Sequence, residues 1–190
     1  MIGHYPYSED VPSNRQRALA AAVELLGTEG LRALTHVRVD ERAGLPKGST
    51  SNHFRTRAAL LEGVVGWMVE QERPEVGAAA LPATVDELVD ALARLFDFMV
   101  GPNRTVTTAR MVLFLEAAHD PVLRAALAQG RATMEGMLLP ALARLGARDP
   151  QLATDALAAC FEGLFLHEIG RHARLDARPV LDLVVRAAIS

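Results

Sequence analysis

Apolar residues recur at helical spacing along most of the chain, and polar segments rich in glycine or proline separate these stretches. Ser13 and Gln16 form a capping-box pair before the first stretch, and Gly27 and Gly30 are expected to end it. Runs of β-branched residues, which favour strands, are scarce. The periodicity therefore predicts an all-α protein.

Two short helices are predicted next, separated by a tight turn. Thr35 is a candidate N-cap for a helix over residues 36–42, and Gly44 supplies the left-handed backbone that a sharp turn needs. Pro46 suits the first turn of the following helix, because the missing N–H of proline costs little there. That helix is expected to continue to about His53.

Six longer helices follow, and most of them begin at a capping residue or a proline. Pro140 lies inside one of them and is expected to kink it, because proline removes a hydrogen bond and clashes with the preceding turn. The last helix is apolar on almost every side and must be covered by the core or by a partner subunit. With their capping residues, the predicted helices span residues 56–73, 84–101, 104–118, 120–145, 149–170 and 179–189.

Composition supports a globular protein and narrows its compartment. Half of the 190 residues are hydrophobic, yet no apolar run approaches the length of a membrane span. The first residues lack the basic start and hydrophobic segment of a secretory signal. Cys160 is the single cysteine, which excludes an internal disulfide framework and fits a reducing, cytoplasmic environment.

The net charge of −3 conceals a local basic region. Residues 31–60 contain six basic and two acidic side chains, a balance of +4. Residues 61–190 contain 12 basic and 17 acidic side chains, a balance of −5. A basic patch on an acidic body is typical of an anion-binding end, for which nucleic acid is the obvious ligand, although solvated surface charge gives the same count.

The two short helices, their glycine turn and the preceding helix together predict a helix-turn-helix. In that motif the second short helix lies in the DNA major groove with its N-terminal end towards the base edges. The segment from Lys47 to His53 carries small and hydrogen-bonding side chains and lacks the apolar face of a core helix. Free N–H groups at the start of this helix would favour a phosphate.

The block from Arg17 to Leu61 resembles the DNA-binding domain of the tetracycline-repressor (TetR) family of transcriptional regulators. The resemblance implies an all-helical homodimer, with a helix-turn-helix domain over residues 1–56 and a helical ligand-binding and dimerisation domain over residues 57–190. It also implies that the last two helices form most of the dimer interface. The matching motifs are Thr28-Glu29-Gly30, Leu34-Thr35, Ala43-Gly44-Leu45, Lys47-Gly48-Ser49, His53-Phe54 and Arg57 with Leu60.

The same resemblance implies that one set of side chains contacts phosphate and another faces bases. The expected phosphate contacts are Thr35, Lys47, His53 and Arg57. The expected base contacts are Ser49 and Asn52, and asparagine can bond adenine through two atoms. Two departures complete the candidate DNA-binding set: Thr50, where the family commonly has leucine or isoleucine, and Ser51, where it commonly has tyrosine.

These features predict a ligand-responsive transcriptional regulator, more often a repressor than an activator in this family, that binds a pseudo-palindromic double-stranded DNA operator. A small-molecule effector in the helical core would favour a conformation with the wrong separation of the recognition helices. Ordinary packing or surface exposure is the competing interpretation of every tentative pocket residue. Those residues are Trp67, Met68, Asn103, Thr107 and His167.

The alternative function is a helical small-molecule binding protein whose helix-turn-helix no longer reads DNA, an interpretation that only Thr50 and Ser51 support. Metal binding has little support, because His167 and His172 are five residues apart and point about 140° away from each other on a helix. The sequence contains no phosphate-binding glycine loop, GxSxG motif or CxxC pair. We therefore expect neither an enzyme nor a bound cofactor.

Overall fold

A computed structural model describes residues 12–76 and 82–189, and within those ranges it contains helices, turns and loops but no strand. A 3-10 turn at Leu31–Ala33 follows the first helix, and a π-helical turn at Leu166–Gly170 extends the eighth. The all-α fold class is confirmed. The first residues of the chain, in which we expected no secretory signal, lie outside the described residues. The α-helices in these ranges are α1 (Asn14–Glu29), α2 (His36–Ala43), α3 (Ser49–His53), α4 (Arg57–Val76), α5 (Val85–Val100), α6 (Arg104–Glu116), α7 (Pro121–Arg144), α8 (Pro150–Phe165) and α9 (Ala177–Ile189).

Capping side chains begin the helices where the sequence predicts them. The Ser13 hydroxyl accepts a hydrogen bond from the Gln16 backbone N–H, and the Gln16 side chain accepts one from the Ser13 N–H, which completes the capping box. The Thr35 hydroxyl caps α2 by accepting a hydrogen bond from the Arg38 backbone N–H. Asp120 and Asp149 cap α7 and α8, and a proline follows each of them. These caps satisfy N–H groups that have no partner inside the helix.

Two glycine and proline predictions near the N-terminus are wrong. Gly27 lies inside α1, and the helix continues to Glu29 before Gly30 ends it. Pro46 lies in the turn before α3 rather than in its first helical turn, because α3 begins only at Ser49. Glycine is tolerated inside a helix when a neighbouring element needs the space of its missing side chain, and α6 provides that neighbour here.

Two further prolines mark helix ends less sharply than expected. The helix α4 continues past Pro74 to Val76, because a proline removes one hydrogen bond without forbidding the turns on either side. The helix α9 begins at Ala177 rather than at Pro179. Proline is tolerated in the first turn because N–H groups there have no hydrogen-bond partner within the helix. Pro140 lies within α7, as expected.

The buried apolar residues form two clusters. The first joins α1, α2 and α4 to α6 and the start of α7, and its fully buried members include Leu26, Leu60 and Leu113. The second joins α5, α8 and α9 and includes Leu157 and Leu181. The core of the first helices therefore extends beyond residue 56 into α4 and α6, and the domain boundary expected between residues 56 and 57 stays a prediction.

The helices α1 and α6 pack closely at Gly27. A Cβ atom at this position would lie 2.1 Å from the backbone oxygen of Thr105, at the start of α6. Any side chain larger than hydrogen would therefore push the two helices apart. Because α1 also supports α2 and α3, this contact connects the C-terminal helices to the helix-turn-helix.

Candidate nucleic-acid interface

The turn between α2 and α3 is fastened to α1. Gly44 ends α2 in the left-handed conformation, with φ 61° and ψ 38°, which a side chain would disfavour. The Arg17 guanidinium of α1 donates hydrogen bonds to the carbonyl oxygens of Ala43 at 2.7 Å and Gly44 at 3.2 Å. The two short helices therefore leave α1 at a fixed angle.

The start of α3 is bound to a buried carboxylate. Asp40 of α2 is 3% exposed and accepts hydrogen bonds from the backbone N–H groups of Gly48 and Thr50, both at 2.8 Å. The Thr50 hydroxyl donates a third bond to the same carboxylate at 2.5 Å. Thr50 is fully buried, so it is not available for the DNA contact expected from the sequence.

The Asp40 carboxyl group is held in its charged form. Burial alone would raise the pKa of Asp40, but the hydrogen bonds from Thr50 and Gly48 and the nearby His36 outweigh that effect and lower it. A carboxylate, which only accepts hydrogen bonds, matches the three donors that surround it.

The end of α3 is also anchored. The His36 Nε2 atom of α2 lies 2.6 Å from the carbonyl oxygen of Phe54, the residue that ends α3. Phe54 is 5% exposed and packs into the first core cluster. The Arg15 guanidinium lies over its ring at 5.5 Å from the centroid, within the range of a cation–π contact.

The outer face of α3 and its preceding turn carry most of the candidate contacts. Lys47, Ser51, Asn52 and His53 are exposed, as a groove-facing helix requires. Ser49 is half-buried, and its hydroxyl donates to the Pro46 carbonyl oxygen at 2.6 Å. Thr35 is exposed beside this face while it caps α2. Their contacts with DNA remain predictions.

Acidic side chains of α1 neutralise part of the basic patch. Arg42 pairs with Glu24 at 2.7 Å and with Glu29 at 2.6 Å, and Arg38 pairs with Glu29 as well. Charge counting over residues 31–60 missed these pairs, because the acids precede that window in the sequence. Arg38 and Arg42 therefore strengthen the contact between α1 and α2, and the cationic surface is smaller than +4 suggests.

The remaining cations are engaged to different degrees. Arg57 donates a hydrogen bond to the Leu31 carbonyl oxygen at 3.1 Å and lies 3.9 Å from a Glu116 oxygen of α6, so it also joins the helix-turn-helix to α6. Three cations are exposed and form no ion pair with any residue of the described ranges, namely Arg32, Lys47 and Arg55. These three cations are open to phosphate.

The structure does not gather the tentative pocket residues into one cavity. Met68 is buried in the first core cluster, and the buried Thr107 hydroxyl donates to the Met99 carbonyl oxygen at 2.7 Å. Trp67, Asn103 and His167 are half-buried. None of these five residues lines either of the two surface clefts described next, and their role in ligand binding stays a prediction.

The first cleft has a volume of about 330 Å³ and lies between α6 and α7, beside Phe114, Arg124 and Arg131. The second, of about 420 Å³, lies between the end of α5 and the segment after α8. Both fall within the lower range of small-molecule sites. The second cleft is lined by Phe96, Asp97, Val100, Gly101, Glu168, Arg174, Leu175 and Asp176.

The described ranges contain neither a metal-binding cluster nor a membrane-spanning helix. No group of three or more histidine, cysteine, aspartate or glutamate side chains is placed to hold a metal ion in those ranges. No helix in them is long and apolar enough to cross a membrane.

Family models match both parts of the chain. Residues 18–64, which hold the helix-turn-helix described above, match the model for bacterial regulatory proteins of the tetR family. Residues 83–190 match the model for the tetracyclin repressor-like C-terminal domain, which alone covers more than half of the chain. The chain belongs to the TetR family. It is a helix-turn-helix transcriptional regulator.

Two relatives of this TetR-family chain are named as transcriptional regulators, and a third is a multidrug binding protein. The HTH-type transcriptional regulator CymR of Pseudomonas putida is 27% identical over 62% of this chain, and the match spans only 57% of CymR. The HTH-type transcriptional regulator BetI of Rhizobium meliloti is 24% identical over 83% of this chain and 78% of BetI. The multidrug binding protein EbrR, in its crystal structure with ethidium, is 28% identical in sequence to this chain. The structural match has a TM-score of 0.73 and covers 91% of this chain and 98% of the EbrR chain.

Proposed function

We propose that this TetR-family regulator is a cytoplasmic, dimeric repressor that binds a pseudo-palindromic operator through α3 and is released by a small molecule. The observation that carries the proposal is the outer face of α3, where Ser51, Asn52 and His53 are exposed on a helix whose inner side is anchored, with Lys47 exposed in the turn before it. A rigidly held helix with exposed polar tips is what base readout in the major groove requires.

An exposed apolar stripe on α8 supports a second copy of the chain as partner. Leu152 is 65% exposed and Leu166 is 48% exposed, and residues between them at steps of four and three complete one face of the helix. Small residues at that spacing allow two helices to pack closely. The α9 helix adds Leu183, which is 70% exposed, while Leu181 and Val185 face the core. The α8 stripe consists of Leu152, Ala156, Ala159, Gly163 and Leu166.

The second cleft supports an organic cation as the effector. Its lining contains three acidic residues, Asp97, Glu168 and Asp176, and one basic residue, Arg174. Phe96 also contributes to the lining, but its ring is 2% exposed and stacks on the Phe165 ring in the core with centroids 5.7 Å apart. An excess of carboxylates in the lining favours a cationic ligand. EbrR, the relative solved with ethidium, has also been solved with proflavin and malachite green.

The cleft adjoins the elements that reach the DNA-binding end. Gly101 lines it directly before α6, and the Arg104 guanidinium at the start of α6 lies 3.5 Å from the Glu168 carbonyl oxygen. The next residue, Thr105, makes the close contact with Gly27 of α1. A ligand that binds more tightly to a conformation with displaced α6 would lower the population that fits the operator.

DNA binding is tested by fluorescence anisotropy with the intergenic DNA upstream of the gene and with a random duplex, across a salt series. We expect selective binding whose affinity falls steeply with salt. Asn52→Ala should weaken operator binding selectively, by about tenfold or more, while Lys47→Ala should weaken both duplexes by a similar factor. Equal losses on both duplexes for both variants would contradict the division between base and phosphate contacts.

The effector class is tested by titrating the protein with proflavin and ethidium and following dye fluorescence. We expect saturable binding that Asp97→Asn and Glu168→Gln weaken, and release of bound operator over the same dye concentrations. Glu62→Gln, at an exposed carboxylate of α4, is the matched control. Dye binding that Asp97→Asn and Glu168→Gln leave unchanged would place the ligand outside the second cleft. Absence of dye binding would contradict an aromatic cation as the effector.

A further inference from the structure

The recognition helix α3 has only five residues, Ser49–His53. A helix this short has no independent stability, because nucleation costs more than one turn of hydrogen bonds returns. Its orientation is therefore set by whatever binds its two ends. Both ends are held by side chains of α2, and sequence reasoning assigned neither of these side chains a role.

The first of these side chains, Asp40, binds the start of α3. Its Oδ1 atom accepts from the Thr50 N–H and hydroxyl, and its Oδ2 atom accepts from the Gly48 N–H. Thr50 is fully buried, so these bonds form away from the exposed face. Displacement of the Asp40 carboxylate would leave this group and its three donors buried without hydrogen-bond partners. Because a buried polar group without a partner is destabilising, the arrangement resists displacement.

The second side chain, His36, binds the end of α3. Its Nε2 atom lies 2.6 Å from the Phe54 carbonyl oxygen, which can only accept, so the imidazole must donate there. His36 and Asp40 are separated by four residues and therefore share one face of α2. One row of polar side chains on α2 thus fixes both ends of the helix that faces DNA.

We propose that Asp40 and His36 are positioning residues for operator recognition, which set the angle of α3 in the major groove without touching DNA themselves. The inference rests on the proposed function, because it assigns α3 to base readout. Loss of either anchor lets α3 tilt, so base contacts suffer while exposed cations such as Lys47 still reach phosphate. The consequence is a loss of sequence discrimination rather than a loss of DNA binding.

The test compares affinity for the duplex that the wild-type protein prefers with affinity for random duplex. Asp40→Ala should reduce the ratio of the two affinities by about tenfold or more, as expected for loss of a well-formed base contact, with random-duplex affinity nearly unchanged. His36→Ala should act in the same direction. His36→Gln should restore much of the ratio, because the glutamine amide supplies an N–H donor at similar reach.

A double-mutant cycle measures the coupling between the carboxylate and its buried partner. Thr50→Val removes one donor, and Asp40→Ala combined with Thr50→Val should lose less than the product of the two single effects, because the variants remove the same interaction. Val89→Ala, at a fully buried position of α5 far along the chain from α3, is the control for destabilisation alone and should leave the ratio unchanged.

The outcomes separate the inference from the proposed function. If the wild-type protein shows no preference between duplexes, the proposed function fails. If the wild type is selective but the Asp40 and His36 variants keep its ratio, or lose both affinities equally, the positioning role is refuted. Should Asp40→Ala fail to fold, the His36→Ala and His36→Gln pair decides the question alone.

Discussion

The contact between α1 and α6 makes a quantitative prediction about Gly27→Ala. The new Cβ would lie 2.1 Å from the Thr105 backbone oxygen and 2.7 Å from its Cγ2 atom. A backbone carbonyl cannot rotate away, so the two helices must separate by about 1 Å to restore ordinary contact. Overpacking of this kind costs about 1–3 kcal/mol, whereas alanine gains about 1 kcal/mol in helix propensity over glycine. The difference between these two effects is a net loss of up to about 2 kcal/mol in the free energy of unfolding.

The measurement is urea unfolding followed by circular dichroism, with Gly66→Ala as the matched control. Gly66 lies inside α4, and a Cβ there meets no atom within 4 Å, so alanine should stabilise by about 1 kcal/mol. Because separation of α6 also displaces the support of the helix-turn-helix, Gly27→Ala should weaken operator binding as well. A Gly27→Ala protein that gains stability as Gly66→Ala does would refute the close packing of α1 on α6.

Three further predictions follow from other elements. Gly163→Glu places a charge on the α8 stripe, and we expect a monomer by light scattering and operator binding weakened by about 100-fold or more. Gly163→Ala is the control. If the Gly163→Glu protein is still a dimer, α8 does not form the interface. The Arg38 hydrogen bond, with help from Arg42 and against partial burial, lowers the pKa of Glu29 below its ordinary 4.5. The stabilising effect of the Glu29 carboxylate is therefore complete above about pH 4.5 and is lost as pH falls through the lowered pKa. The difference in stability between wild type and Glu29→Gln should therefore shrink in acid. A constant difference from about pH 6 to about pH 3 would be inconsistent with the ion pair. Asp149→Ala removes the cap of α8 and should cost about 1 kcal/mol in urea unfolding, and unchanged stability would show that the cap contributes nothing.

Local signals in the sequence predicted the helices well. Capping residues such as Ser13, Thr35 and Asp149 act through hydrogen bonds to neighbours two or three positions away, so their effect is visible in a short window. Glycine and proline were less reliable. Gly27 looked like a helix end because the reason for it, the passage of α6, lies about 80 residues further along the chain.

The exposed part of the candidate site was more predictable than its support. Lys47, Ser51 and Asn52 lie outside, as a helix without an apolar face suggests. Thr50 was included in the DNA-binding set as a departure from a family position that is commonly leucine or isoleucine, and only the fold shows its pairing with Asp40, ten residues earlier. The expected pocket residues stay a prediction, since a cavity depends on how separate helices are oriented.

The most direct test of the central claim is selection of bound sequences from a random duplex pool by the wild-type protein. The α3 face and the α8 stripe predict enrichment of one pseudo-palindromic motif whose half-sites are separated by about one helical turn or a multiple of it. That result would establish sequence recognition by a symmetric pair of recognition helices. A pool without an enriched motif, or with a single asymmetric site, would contradict the account.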